Sequence, residues 1–252
     1  MRVAVAGGTG LVGKMVVRGL EQAGHHAVVL SRANGVDLTT GQGLVERLHG
    51  CDAIIDVTNQ NTINKKAAVE FFGAVTSHLL EAGVQAGVGH IVTLSIVGVD
   101  EVDLGYYFGK RKQEELVSKG PLPWTILRAT QFHEFPEPLL DGRSPVVVVP
   151  KMLSRPVAAA DVAAELVKLV AQPAGGYVRP IAGPEELRMS DMAKRTARAR
   201  GTHKLVLPVR LPGRVGKAMI GGALLPQGPF TKATRTFAEH IAELDVHRGA
   251  TR

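Results

Sequence analysis

Apolar positions along the chain follow two alternating rhythms. Short, mainly apolar runs occur at Val3 to Ala6, Ala27 to Leu30, Ala53 to Val57, Ile91 to Leu94 and Trp124 to Leu127, broken only by Asp56, Thr93 and Thr125. Runs of this length with no polar alternation predict strands buried on both faces. Between them the spacing lengthens. Leu11 to Ala23 carries Leu11, Met15, Val16 and Leu20 on one helical face and stops at Gly24, a natural C-cap. Lys65 to Ala82 and Tyr107 to Lys119 also read as helices. Strands alternating with long helices predict an α/β fold, with a doubly wound parallel sheet covered by helices on both faces.

Beyond Arg128 the rhythm loosens. Val146 to Val149 predicts a strand, and Asp161 opens a helix over Val162 to Val170. A strand follows at Tyr177 to Ala182, a helix at Ser190 to Arg200, and a strand at Lys204 to Leu207. A Gly/Pro-rich stretch, Pro208 to Pro229, precedes a last helix over Thr234 to Leu244. No long polar linker interrupts the chain. Residues 1–252 therefore read as a single domain, with a core at 1–130 and 131–252 forming mostly a small C-terminal lobe on the sheet edge.

The first strand runs into Gly7-Gly8-Thr9-Gly10-Leu11-Val12-Gly13, which satisfies GxxGxxG and, over its last six residues, GxGxxG. Either pattern alone is common. Between an apolar strand and an amphipathic helix it becomes a dinucleotide turn. One glycine permits the tight turn, another lets backbone approach a pyrophosphate, and the third lets helix and strand pack closely. The helix N-terminus adds unpaired N–H groups and partial positive charge. A cofactor-binding Rossmann fold is expected, with Gly7, Thr9, Gly10, Leu11, Val12 and Gly13 at the phosphates. The second strand ends Leu30-Ser31-Arg32, with no acid to hold a ribose 2′-hydroxyl. Arginine there favours a 2′-phosphate, hence NADP(H), through a charge-assisted contact.

Tyr106 and Lys110 stand four apart, on one face of a helix. A nearby cation lowers a phenol's pKa, which lets tyrosine exchange a proton with a carbonyl or alcohol. Tyr107, three from Lys110, competes for that role. Ser95, at the end of the fourth strand, is placed to hydrogen-bond the same substrate oxygen, because open parallel sheets bind ligands at strand carboxyl ends. Gln131 and His133 follow the fifth strand, where a loop can reach substrate; His133 fits a structural role equally well.

The sequence resembles the short-chain dehydrogenase/reductase superfamily, and within it the atypical, NmrA-like branch of NAD(P)-binding proteins. The likeness covers VAVAGGTGLVG, Ser31-Arg32, Val36-Asp37-Leu38, Ile54 to Asn59, TLSIVGVD, YYFGKRKQEEL, PWTILRATQFHEF and Asp161-Val162-Ala163. The resemblance implies that Asp37, beside Leu38, contacts the adenine amine and that Thr58-Asn59 follows the strand beneath the cofactor. It also implies that Tyr106 and Lys110 form the YxxxK pair, with Lys110 also on the nicotinamide ribose. The branch holds reductases of small carbonyl or quinone compounds and also NADP-binding regulators without turnover. Tyr106, Lys110 and Ser95 favour the enzyme; the regulator is the alternative.

Composition removes other classes. Hydrophobic residues make up 45% and charged residues 21% of 252, as in an ordinary globular protein. Cys51 is the single cysteine, so no internal disulfide or cysteine-based metal cluster can form, in keeping with a cytoplasmic protein. The nine histidines include no HExxH, and no metal is expected. GxSxG and GxxxxGK[ST] are missing, which removes hydrolase and P-loop readings. No signal peptide or membrane span is expected, since no apolar run reaches ~18 residues. The net charge of +7 raises nucleic acid as a partner, but the basic run Lys194 to Arg200 lacks aromatics and reads as a solvated helix face. Nucleic acid and membrane partners are therefore not expected. Leu211 to Phe230 is left to cap an apolar substrate or to join two copies in a homodimer.

Overall fold

The computed structural model describes residues 1–250. The chain divides into two compact units, Met1–Arg128 with Val162–Arg179, and Ala129–Asp161 with Pro180–Arg252.

The first unit is the expected α/β sandwich. Its elements are β1 (Arg2–Ala6), α1 (Leu11–Gln22), β2 (His26–Leu30), α2 (Leu44–Leu48), β3 (Ala53–Asp56), α3 (Lys65–Gln85), β4 (His90–Ile96), α4 (Gly105–Lys119) and β5 (Trp124–Ala129). The strand order is β5-β4-β3-β1-β2, with parallel pairing of β1 to β2, β1 to β3 and β3 to β4. Order reverses at β1, so a crevice opens at the carboxyl ends of β1 and β3, the place where such sheets take ligands. Ala4, Ala6, Val28, Leu30, Ile54 and Ile91 point into one core with Val75 and Leu79 of α3 and Val117 of α4. The alternate positions Val3, Val5 and Ile55 are also fully buried, which is why these strands read as continuous apolar runs.

Two glycines let α4 close on α3. A Cβ at Gly105 would lie 2.0 Å from Ile63 O, and one at Gly109 would lie 2.5 Å from Phe72 Cδ2. The helix expected from Tyr107 begins two residues earlier, at Gly105. Farther on, the helix expected from Val162 starts at Ala159 as α6 (Ala159–Val170), with Asp161 in its first turn, where the helix dipole favours an acid. The strand expected over Tyr177 to Ala182 is split. Pro180, which has no N–H for a ladder, separates β8 (Gly176–Tyr177), paired with β5, from β9 (Ile181–Ala182).

In the second unit β9 pairs with Ala129 and with β12 (Thr231–Lys232). Its other elements are α5 (Glu137–Leu140), β6 (Val146–Pro150), β7 (Leu153–Ser154), β10 (Leu187–Arg188), α7 (Met189–Ala199), β11 (Leu205–Val209), α8 (Gly213–Ile220) and α9 (Phe237–Ala250). β6 pairs with β11 in parallel and β7 with β10 antiparallel. The Gly/Pro-rich stretch thus contains a helix, α8. The last helix begins three residues later than its apolar spacing suggested and runs six residues farther.

Candidate functional site

The glycine turn is built as its spacing requires. Gly7 sits at φ +81°, where side chains are strained, and a Cβ there would also lie 2.8 Å from Val57 O. Gly10 N donates to Gly7 O at 2.9 Å and closes the turn. A Cβ on Gly13 would fall 2.1 Å from Gly7 O and 2.6 Å from Gly8 Cα, so only glycine lets α1 rest on the turn. Thr9, Gly10 and Leu11 are exposed at the helix start while Val12 and Gly13 are buried. The turn is an open backbone cradle, and a pyrophosphate fits it.

Ser31 ends β2 in extended backbone without using its side chain as a cap, and Arg32 follows in a single 3-10 turn, exposed. Arg32, Gly35, Val36, Asp37 and Gln42 line one depression. Asp37 Oδ1 accepts from Thr39 N at 2.8 Å and Thr39 Oγ1 at 2.6 Å. These bonds, with a smaller contribution from the Arg32 guanidinium, hold the Asp37 carboxyl below the ordinary range. Leu38 is half-buried beside it, and its carbonyl oxygen lies 3.1 Å from His78 Nδ1.

The carboxyl ends of β3 and β4 hold a buried polar chain that sequence reasoning missed. Asp56, fully buried, accepts from Thr58 N at 2.9 Å and Thr58 Oγ1 at 2.7 Å through Oδ1. Its Oδ2 accepts from Gln113 Nε2 at 2.7 Å. Gln113 Oε1 in turn accepts from Lys110 Nζ at 2.5 Å, and Lys110 also donates to Leu94 O at 2.7 Å. Asn59, next to Thr58, is exposed and donates to Asn61. The signal for Gln113 was its place one turn past Lys110; the signal for Asp56 was an acid closing an otherwise apolar strand.

Burial moves the titrations here. Desolvation pulls Lys110 from 10.5 down to about 8, against the opposing pull of Asp56 and Glu114. The spacing of Tyr106 and Lys110 predicted a lowered phenol pKa; instead desolvation, then the neighbouring Tyr107, pushes the half-buried Tyr106 well above its ordinary value, so it stays protonated while Lys110 bonds Leu94 and Gln113. Tyr106 and Lys110 meet the same ring: Tyr106 is edge-on to Phe72 at 5.8 Å, and Lys110 Nζ lies 4.8 Å from that ring's centre. The two are brought together across Phe72, with the Lys110 hydrogen bonds going to Leu94 and Gln113. Tyr107 is buried against Tyr106, ring centres 6.0 Å apart. Ser95 Oγ, and Thr93 Oγ1 two residues before it on the same face of β4, are buried and have no hydrogen-bond partner among the described residues.

Two arginines fix the register of α4. Arg128 forks onto the buried Glu114 at 2.9 and 2.6 Å and reaches Asp100 at 2.7 Å. Arg111 donates to the carbonyls of Val99 and Val102 and to Asp103, which pins the loop leading into Tyr106.

Gln131 and His133 lie in the second unit, both buried. Gln131 Oε1 accepts from Ser154 Oγ at 2.5 Å, while its Nε2 is without a partner among the described residues. His133 Nε2 lies 3.1 Å from Pro156 O, a contact that makes this nitrogen the donor. Its ring packs on Phe237 and His240, and desolvation, then His240, lowers its pKa to about 4. Its Nε2 hydrogen is thus committed to backbone. Among the described residues there is no group of three or more His, Cys, Asp or Glu able to hold a metal ion, and no helix is long and apolar enough to cross a membrane.

The chain is 28% identical over 218 residues to (4-alkanoyl-5-oxo-2,5-dihydrofuran-3-yl)methyl phosphate reductase of Streptomyces griseus, covering 79% of this chain and 74% of that protein. In fold it is similar to MoeE5 in complex with UDP-glucuronic acid and NAD, with TM-score 0.75, 19% identity, and 99% and 100% of the two chains covered. It is also similar to the NADPH-dependent quinone oxidoreductase QOR2 of Escherichia coli bound to NADPH, with TM-score 0.68, 17% identity, and coverage of 96% and 99%. A family described as NAD(P)H-binding matches residues 7–173, two thirds of the chain, and with the glycine turn built as such a cofactor needs, the protein belongs to that family.

Proposed function

We propose that the protein is an NADP(H)-dependent oxidoreductase of the short-chain dehydrogenase/reductase type, acting on a small carbonyl, quinone or alcohol. The observation that carries this reading is the buried polar cluster at the carboxyl ends of β3 and β4. A lysine 3% exposed, bonded to the carbonyl of Leu94 between two residues whose hydroxyls lack partners among the described residues, is costly in a core that needs only packing. Such groups are retained where chemistry uses them.

When bound, the nicotinamide supplies or accepts a hydride. The chain's residues do the rest. The turn from Gly7 to Gly13 holds the pyrophosphate, and Ser31 with Arg32 takes the 2′-phosphate. Asp56 fixes Thr58, and thereby the backbone leading to Asn59 under the cofactor. Ser95 orients the substrate oxygen. Tyr106, protonated through the neutral range, donates a proton to that oxygen during reduction. Lys110 supplies positive charge nearby and reaches the ribose. The named relatives support this reading, since one is a reductase and another an NADPH-dependent quinone oxidoreductase. A second reading, an NADP(H)-binding regulator without turnover, draws on the engagement of Lys110 by Leu94 and Gln113.

NADPH oxidation against a panel of quinones and small aldehydes separates the two. Turnover is expected, with Tyr106→Phe lowering aldehyde reduction by ~100-fold or more. Tight NADPH binding with no turnover on any substrate would establish the regulator instead.

A further inference from the structure

The parallel pair β6–β11 is apolar on both faces but covered on one. Val147, Val149 and Val206 are buried, and α7 packs on both strands. The opposite face carries Val146, Val148, Leu205, Leu207 and Val209, which the register sets side by side: Leu205 beside Val146 and Leu207 beside Val148. These five side chains are 38 to 65% exposed. Parallel strands are ordinarily buried on both faces, so this ribbon lacks its second cover. A contiguous aliphatic patch on a soluble surface marks an interaction site.

Charge identifies the occupant. Residues 141–151 and 200–217, which contain the ribbon and its flanks, hold seven Lys or Arg and one acid, Asp141. That acid is already paired with Arg200 at 2.6 Å. These two segments therefore account for six of the chain's net charge of +7, while the remainder is balanced at 23 basic against 22 acidic residues. The cations stand at both ends of the ribbon: Arg143 and Lys204 before it, Lys151 and Arg210 after it. Lys204 Nζ reaches the carbonyls of Gly142 and Ser144, and Lys151 N donates to Val209 O.

A second copy of the same face would bring like charge against like charge. Single-stranded nucleic acid would call for aromatic stacking platforms, which the ribbon lacks, and duplex phosphates would meet the cations but leave the aliphatic face uncovered. An aliphatic face bounded by cations is what an anionic lipid surface takes, with apolar side chains at the acyl boundary and Lys or Arg at the headgroups. We propose that the second unit docks peripherally on anionic membranes through the outer face of β6–β11. The sequence raised no membrane partner because no apolar run is long enough to span; docking of this kind needs none.

Sedimentation of the full chain with phosphatidylcholine vesicles, with and without phosphatidylglycerol, tests the proposal. Binding is expected only to the anionic vesicles, weakening as salt rises. Val148→Glu/Leu207→Glu and, separately, Lys151→Glu/Arg210→Glu are each expected to reduce it by roughly tenfold or more. All four positions are exposed, and an unchanged melting temperature checks that the fold survives. Equal binding to neutral vesicles, no binding to either, or binding indifferent to Val148→Glu/Leu207→Glu would overturn the proposal. So would light scattering that finds a dimer which Val148→Glu/Leu207→Glu converts to monomer, since a second copy would then be the occupant.

Discussion

Replacing Gly13 by alanine is the sharpest test of how the dinucleotide turn is built. The added methyl would lie 2.1 Å from Gly7 O and 2.6 Å from Gly8 Cα, and both are backbone atoms that cannot swing aside. To regain even 3.0 Å from the oxygen, α1 must recede by about 0.9 Å, lifting Val16 and Leu20 from the core. Overpacking of this kind costs about 3 kcal/mol, the upper end of the usual range because no side chain can absorb it. Alanine's better helix propensity returns about 1 kcal/mol. The net loss of roughly 2 kcal/mol corresponds to a melting temperature lower by roughly 4–8 °C for a chain of this length. Gly10→Ala provides the contrast. Gly10 has φ −77° and a Cβ there would lie 3.3 Å from Gly7 O, so the fold should change by less than ~0.5 kcal/mol. Its methyl nevertheless occupies the cradle, and NADPH affinity should fall by at least about tenfold. Scanning calorimetry and fluorescence titration of NADPH read the two effects separately. A Gly13→Ala protein that melts at or above the wild-type temperature, or a Gly10→Ala protein that binds NADPH normally, would refute this account of the turn.

Other consequences follow from the buried groups. Because Lys110 titrates near 8 when folded and near 10.5 when unfolded, the unfolded chain holds the extra proton between those values. Stability should therefore rise from pH 8 to pH ~10 by roughly 2–3 kcal/mol, a rise that Lys110→Met should remove from urea midpoints. Gln113→Leu leaves Asp56 and Lys110 without their shared partner and should cost about 3 kcal/mol by chemical denaturation; a loss below ~1 kcal/mol would mean that the chain of hydrogen bonds is not held in solution. His133, near 4 when folded against 6.5 unfolded, makes a stability contribution that is present above pH 6.5 and lost as pH falls toward 4. Glu134, raised to about 7 chiefly by burial, acts in the opposite sense, losing its contribution as pH rises from 4.5 toward 7. His133→Phe should therefore flatten the acid loss; an unchanged acid limb would refute this assignment.

Local chemistry was legible in the sequence where it rests on neighbouring residues. The turn from Gly7 to Gly13, the five core strands and the spacing of Tyr106 and Lys110 could all be read from runs of a few residues. What escaped depends on pairs far apart in the chain. Asp56 and Gln113 are 57 residues apart and meet only because β3 lies beside β4 under α4. Nothing next to Gly105 in the sequence marks it; the need for glycine comes from Ile63 O, which stands where a side chain would be. The strand expected over Tyr177 to Ala182 took no account of Pro180, which lacks the N–H a ladder needs. The uncovered face of β6–β11 left no trace in a pattern that, in a parallel pair, signals burial.

The proposed function rests on the cradle and Arg32 together selecting NADP(H). Paired titrations of NADPH and NADH, followed through nicotinamide fluorescence, test it most directly in wild type and in Arg32→Ala. NADPH should bind wild type roughly tenfold to a hundredfold more tightly than NADH, as a charge-assisted contact to the 2′-phosphate requires, and Arg32→Ala should erase that difference while leaving NADH binding intact. Equal affinity for the two cofactors in the wild-type protein, or a preference for NADPH that survives Arg32→Ala, would contradict it.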